Sequence, residues 1–218
     1  MGLATIYAAI RARFDAQIVT SYDYGSGASS LSKTTVAADG TNEKFTDSAE
    51  DLSAFANSKQ IVVSGFTESA NNGLFTVKKE EVDASNIPVT GDLTTEVAGD
   101  TVSIKTALPV LYDGDSNFIK PDNELWVRVH ILHTGSEQIE MPGTVRHFMD
   151  MVVSIFSPLK SGGTATAEAL LDTVTSAFRH ATDTGVRFTV PYAGVLNEHT
   201  ESFLMSNLHC PCYSDESI

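Results

Sequence analysis

Cysteine is almost missing from this chain: only Cys210 and Cys212 occur, with Pro211 between them. A disulfide framework is therefore excluded, and the ring these two would close across one proline is strained. Nothing in the cysteine usage points to an oxidising compartment. Together with His209 they make an incomplete zinc set, since no other cysteine exists to finish it. Two reduced thiols near a strand end are the simpler account. Basic residues are scarce as well. Lys and Arg total 14 against 28 Asp and Glu, a formal net charge of −14. A protein that grips nucleic acid needs clustered Lys and Arg to neutralise phosphates. The closest pair, Lys78-Lys79, runs straight into Glu80-Glu81, so tight DNA binding is not expected. The acidic surface has two readings, simple solubility or a repulsion that lets DNA slide past.

Long apolar runs are missing too. No stretch approaches the roughly 20 residues needed to cross a bilayer. Arg11, Arg13 and Asp15 break the N-terminal segment, so no signal peptide is expected. Ile6 stands where myristoylation requires Ser or Thr. Catalytic signatures are equally thin. Of the six histidines, His130 and His133 fall on opposite faces of a strand, and no His-x-x-x-His pair lies on a helix. No serine sits in a Gly-x-Ser-x-Gly elbow, and Gly25-Ser26-Gly27 reads as linker. Asp113 and Asp115 flank a glycine without a full calcium loop, which makes them a turn. Ser161-Gly162-Gly163-Thr164 precedes a helix but lacks the Gly-Lys-Ser/Thr of a phosphate cradle. Catalytic residues, cofactor ligands and metal ligands are all expected to be none.

What is present is periodicity. Leu3, Ile6, Tyr7, Ile10, Phe14 and Ile18 recur at spacings of three and four, which predicts a helix over 3–18. Tyr24 to Ser30 is a Gly/Ser-rich junction. From there to about Thr106 the chain reads as short strands with glycine turns, among them Ile61–Phe66, Leu74–Val77, a piece from Pro88 and Thr101–Lys105. Asn71-Asn72-Gly73 supplies residues that tolerate positive φ. Close spacing of this kind predicts a small β-sandwich or barrel of about 80 residues, just large enough to fold alone. Beyond it, Leu108–Tyr112 is a short strand, and Trp126–His133 and Val145–Phe156 are long ones separated by a polar loop. Ser157-Pro158 stops the second, and a Gly162-Gly163 hinge follows. An amphipathic helix then runs from Thr164 to about Thr182, with Ser161 or Thr164 placed to cap it. Strands at Val186–Tyr192 and Phe203–Cys212 complete the sheet. The expected class is α+β: a mixed or antiparallel sheet, residues 1–24 and 108–218, covered by two helices, with an all-β module inserted over 25–107.

Several of these features, taken together, resemble the tail terminator proteins of long-tailed (siphovirus-like) bacteriophages. They are the N-terminal helix, Tyr112 and Phe118, and the run Pro121-x-x-x-x-Trp126-Val127-Arg128-Val129. To these add Ile155-Phe156-x-Pro158 before Gly162-Gly163 and an Ala-rich helix, and the closing Cys210-Pro211-Cys212-Tyr213-x-Asp215-Glu216. The likeness covers residues 3–22 and 108–218. The middle stretch is similar to small β-domains found within assorted phage structural proteins, and the simplest terminators lack it.

The resemblance implies a virion protein of the tail or neck, made in the host cytoplasm, with no chemistry to perform. It implies a homo-oligomeric ring, a hexamer, that caps the tail tube, stops its polymerisation and offers the head a joining surface. The implied partners are the tail tube protein and a head-completion or connector protein. DNA would pass through the lumen without specific binding, and no membrane is involved. Candidate interface residues are Arg128 and Arg146 on the long strands, Gly135 and Glu137 in the loop between them, and Pro158, Lys160, Gly162 and Gly163 at the hinge. Element ends are where partner contacts usually sit. Two other readings stay open. One is a different neck protein or a tube subunit. The other is a host-surface or carbohydrate-binding module, whose only aromatics in the middle stretch would be Phe45, Phe55, Phe66 and Phe75.

Overall fold

The computed structural model describes residues 2–19, 30–56, 58, 60–78, 81–115, 125–140, 143–159, 163–194, 198–199 and 203–217. The chain divides into two compact units, one of Met1–Tyr24 with Leu108–Ile218 and the other of Gly25–Ala107. The expected α+β class is overturned. The protein is mostly β, 49% strand against 22% helix, built on two half-barrel sheets. Thr134–Glu140 and Tyr213–Ser217, read as loop and tail from their polar composition, are strand instead, and Ser30–Asp47 holds three strands that the short-strand reading did not single out.

The short-strand unit contains β1 (Ser30–Lys33), β2 (Val36–Asp39), β3 (Lys44–Asp47), β4 (Gln60–Ser64), β5 (Gly73–Val77), β6 (Asn86–Thr90) and β7 (Val102–Thr106). They lie in the order β1-β7-β4-β5-β6-β3-β2, every pair antiparallel. Period-two alternation turns Val36 and Ala38, Ile61 and Val63, Phe75 and Val77, and Val102 and Ile104 into one core. The sheet curls because β6 changes partner part-way. Asn86–Pro88 pair with β3, whereas Val89 and Thr90 pair with β5. Pro88, which has no N–H to give a ladder, sits at the switch. The curl lets Phe45 meet Phe66 at 5.7 Å and Phe75 at 5.1 Å. Gly65 holds φ +105°, and a Cβ there would come within 2.2 Å of the Thr101 carbonyl oxygen, so only glycine fits. Buried Asn71 donates to the Glu96 carboxylate at 2.9 Å and accepts the Thr94 N–H at 2.9 Å. These bonds satisfy its amide, which would otherwise cost about 1–3 kcal/mol to bury.

The long-strand unit contains β8 (Val110–Tyr112), β9 (Trp126–Glu140), β10 (Thr144–Pro158), β11 (Thr182–Asp183), β12 (Val186–Phe188), β13 (Tyr192–Ala193), β14 (Glu198–His199) and β15 (Phe203–Ser217). The order is β11-β12-β15-β10-β9-β8, with β13 and β14 also pairing with β15. Only β8–β9 is parallel among the described pairs. Two helices belong to this unit, α1 (Leu3–Phe14), which continues as a π-helical turn Asp15–Val19, and α2 (Gly163–Phe178). Ile6, Ile10, Phe14 and Ile18 form the buried stripe of the first, and Ala167, Leu170, Val174 and Phe178 that of the second. Phe178 stacks on Phe14 at 6.1 Å and meets Phe188 edge-on at 4.9 Å. Arg13 Nη2 donates to the Ala177 carbonyl at 2.7 Å, satisfying one of the acceptors a helix end leaves open. The helix expected to reach Thr182 stops at Phe178 because His180 takes φ +53°. Its N–H then bonds the Thr189 carbonyl. Pro158 is the last residue of β10 and does not stop the strand ahead of itself.

Candidate assembly surface

β9, β10 and β15 each have 15 residues, about 50 Å at the usual rise. Along β10, Met149, Met151, Val153 and Ile155 are buried, facing Val129 and Val127 of β9 and Cys212, Cys210 and Leu208 of β15. From Thr144 to Phe148 the alternation ceases, and every residue is half-exposed. The corresponding part of β9, Leu132–Gln138, is exposed apart from half-buried Gly135. The distal half of the β9–β10 pair is therefore an arm that leaves the core behind. Two register irregularities, skipping Thr134 and Ile139, interrupt it, and such bulges increase local twist. Gly143, at φ +108°, helps close it. Among the described residues β8 pairs with β9 only as far as Val129. Among the described residues, no strand pairs with the outer edge of β9 beyond that point.

On the sheet face opposite the buried one lie Arg128, His130, Leu132, Arg146, Asp150, Val152 and His209. Arg128 reaches Asp113 at 3.4 Å, and His130 Nδ1 lies 2.6 Å from the other oxygen of the same carboxylate. Asp115, for its part, pairs with Arg11 at 3.6 Å and accepts the Tyr112 N–H. The two carboxylates flanking Gly114 are thus satisfied internally, as a turn. His209 Nδ1 bonds Asp150 at 2.6 Å, under the stacked ring of Tyr192. Arg146 makes a bidentate pair with Asp215 at 2.7 and 2.9 Å and covers the Tyr213 ring at 4.4 Å. That hydrogen bonding holds the Asp215 carboxyl below the usual carboxylate range. Glu137 is the register partner of Arg146 on β9.

Arg128, Gly135, Glu137 and Arg146 thus share the β9–β10 strand pair. Pro158 and Gly163 lie at the other end of β10, roughly 40 Å from Arg146 at the usual rise. Lys160 and Gly162 lie outside the described residues, as does the cap residue Ser161. Missing from the sequence reading was the far end of β15. The dipeptides Arg146-His147 and Asp215-Glu216 are complementary, and antiparallel pairing places them together. Two exposed apolar side chains were missed as well, Leu132 at 41%, midway along β9, and Leu159 at 49%, just past the end of β10.

One polar string runs across the arm on the core-side face. His147 Nε2 lies 2.9 Å from Glu216, His147 Nδ1 2.8 Å from Ser136 Oγ, and that hydroxyl 2.9 Å from His133 Nε2. The His147 hydrogen bond keeps the Glu216 carboxyl lower than usual. Serine, imidazole and carboxylate in series suggest a nucleophile, but Ser136 is exposed on β9, the outer strand beside β10 and β15. Acyl transfer needs preorganised donors for an oxyanion and exclusion of water. A hollow of about 300 Å³ in this unit is lined by Leu111–Asp115 and Arg128, away from Ser136. No group of three or more His, Cys, Asp or Glu among the described residues is arranged to hold a metal. Cys210 and Cys212 are free and buried. Burial raises both thiols, Cys212 to about 12, which makes them unreactive. By strand alternation His209 lies on the opposite face from them.

No protein-family model, no curated protein and no solved structure matches the chain.

Proposed function

We propose that this chain is a structural protein of a long-tailed bacteriophage virion, acting by shape. Copies close into a ring, a hexamer on the resemblance stated above, at the end of the tail tube. The ring occupies the surface that the next ring of tube subunits would take, and it presents a second surface to a head-completion or connector protein. The observation that carries this reading is the β9–β10 arm. It extends past its own core with an exposed Leu132 and an outer edge that no strand among the described residues covers, and its Arg146 and His147 are engaged in internal ion pairs. A bare edge invites another strand, and the twist from the two bulges together with Glu137 restricts which strand that can be. A head-to-tail contact repeated by rotation closes into a ring. The separation of Arg146 in the arm from Leu159, just past the opposite end of β10, supports two distinct partner surfaces. The net charge of −14 suits a lumen through which DNA passes without sticking.

Cryo-electron microscopy of particles tests this. The expected density is one ring at the head-proximal end of the tube, and deleting the gene should give tails of uncontrolled length. A copy recurring along the whole shaft would make the chain a tube subunit, which the same arm also suits. A glycan-binding role for the short-strand unit finds no support. Phe45, Phe55, Phe66 and Phe75 are all buried in its core, whereas sugar stacking needs exposed rings.

A further inference from the structure

We propose that His133 and His147 chelate a late first-row divalent cation, copper(II), nickel(II) or zinc(II), across the β9–β10 arm. His133 Nε2 and His147 Nδ1 converge on one atom, Ser136 Oγ, at 2.9 and 2.8 Å. Their ring centroids are 5.8 Å apart and their planes 55° from parallel. Two imidazoles bound to one ion at about 2.1 Å place their centroids roughly 5–6 Å apart. The rings already hold that spacing, so an ion entering between them needs only the serine hydroxyl to turn aside or join it.

The tautomer of His147 suits the role. A carboxylate only accepts, so the bond to Glu216 at 2.9 Å puts the ring proton on Nε2. The Nδ1 lone pair then faces the point of convergence. A carboxylate behind a ligating imidazole is the arrangement that orients such ligands and raises their basicity. His133 is exposed, so water can carry its proton to Nδ1 and free Nε2. The chelate joins β9 to β10 beside the Thr134 bulge, with β15 supplying the supporting carboxylate. It is a two-imidazole site with positions left for water or a donor from another molecule, which predicts micromolar affinity, with copper strongest. Hard cations such as calcium and magnesium prefer oxygen cages and should not bind. His130 and His209 each face a single carboxylate, so they serve as internal controls. The site does not depend on ring formation.

The test is calorimetric titration of the untagged full chain with copper(II), nickel(II) or zinc(II), plus electron paramagnetic resonance of the copper adduct. Expected are one equivalent bound and coupling to two imidazole nitrogens. His133→Ala and His147→Ala should each weaken binding at least ~10-fold and leave one coupled nitrogen. Glu216→Gln should weaken it about 10-fold, while His209→Ala leaves it unchanged. Melting curves without metal check that each variant is folded; exposed His133 is the variant least able to disturb the fold. Wild-type affinity in the folded His133→Ala/His147→Ala double variant, or no binding tighter than millimolar in the wild type, would overturn the proposal.

Discussion

The two units obey the same strand rule and spend it differently. In the short-strand unit, strands of four or five residues curl until their inward side chains meet, with Phe45 touching rings from two other segments. Strand length there matches the core. In the long-strand unit, three strands of 15 residues run over a core that covers only part of them. The remainder is held by pairs across strands, Arg146 with Asp215 and His147 with Glu216. Exposed pairs of this kind contribute little to stability. Strand that outruns its core is therefore not explained by folding, and this is why the arm, not the compact unit, carries the functional reading.

The comparison breaks most severely at the two cores. Phe45→Ala and Phe178→Ala should each cost about 3–5 kcal/mol, since both rings are fully buried. Trp126 fluorescence in urea reports the long-strand unit and should shift with Phe178→Ala. Amide exchange at Ile61 and Val63 reports the other unit and should rise with Phe45→Ala. A smaller effect is expected at Tyr112, whose hydroxyl donates to Asp15 at 2.5 Å. Burial raises the Asp15 carboxyl despite that bond. Tyr112→Phe strands the carboxyl without its donor and should cost about 1–3 kcal/mol in the urea midpoint.

The smallest effect belongs to the arm and is best seen as a dependence on pH. Arg146 depresses the Asp215 carboxyl and His147 the Glu216 carboxyl. A depressed folded-state value means the contribution is present above the unfolded value, near pH 4, and is lost as pH falls through the folded one. Amide exchange at Ser214–Glu216, taken relative to its intrinsic rate at each pH, should therefore rise below about pH 4 while Val153 stays protected. Arg146→Gln should bring the rise to higher pH. Exchange that is already complete at neutral pH would mean that these pairs do not hold the arm.

What was legible follows the same division. The stripes Ile6-Ile10-Phe14 and Leu170-Val174-Phe178 announce helices, and the alternation through Val127-Val129 and Met151-Val153-Ile155 announces strands, because in each case one face is dry. Thr134–Glu140 and Ser214–Ser217 carry no apolar alternation, even though Ser214 is buried, and so they read as loop and tail. Ser30–Asp47 hides three strands behind Ser, Thr, Ala and Lys. Those hidden strands turn the class from α+β to mostly β. For the candidate surface, Arg128 and Arg146 were readable as strand positions, whereas Gly135 and Glu137 read as loop. Asp113 and Asp215, the partners of the two arginines, were not readable, because pairing depends on register across distant segments. Leu132 stands out only once its face is known to lack a cover.

β15 lies inside its sheet, joining β10 on one side to β12, β13 and β14 on the other. It is a keystone: until residues 203–217 arrive, β10 and β12 face each other across an empty slot. Contacts spanning so much sequence form slowly, and open slots in half-made sheets attract foreign strands. A chain synthesised only as far as β14 should therefore be prone to clumping, and a peptide copying Phe203–Ser217, supplied in trans, should restore its solubility.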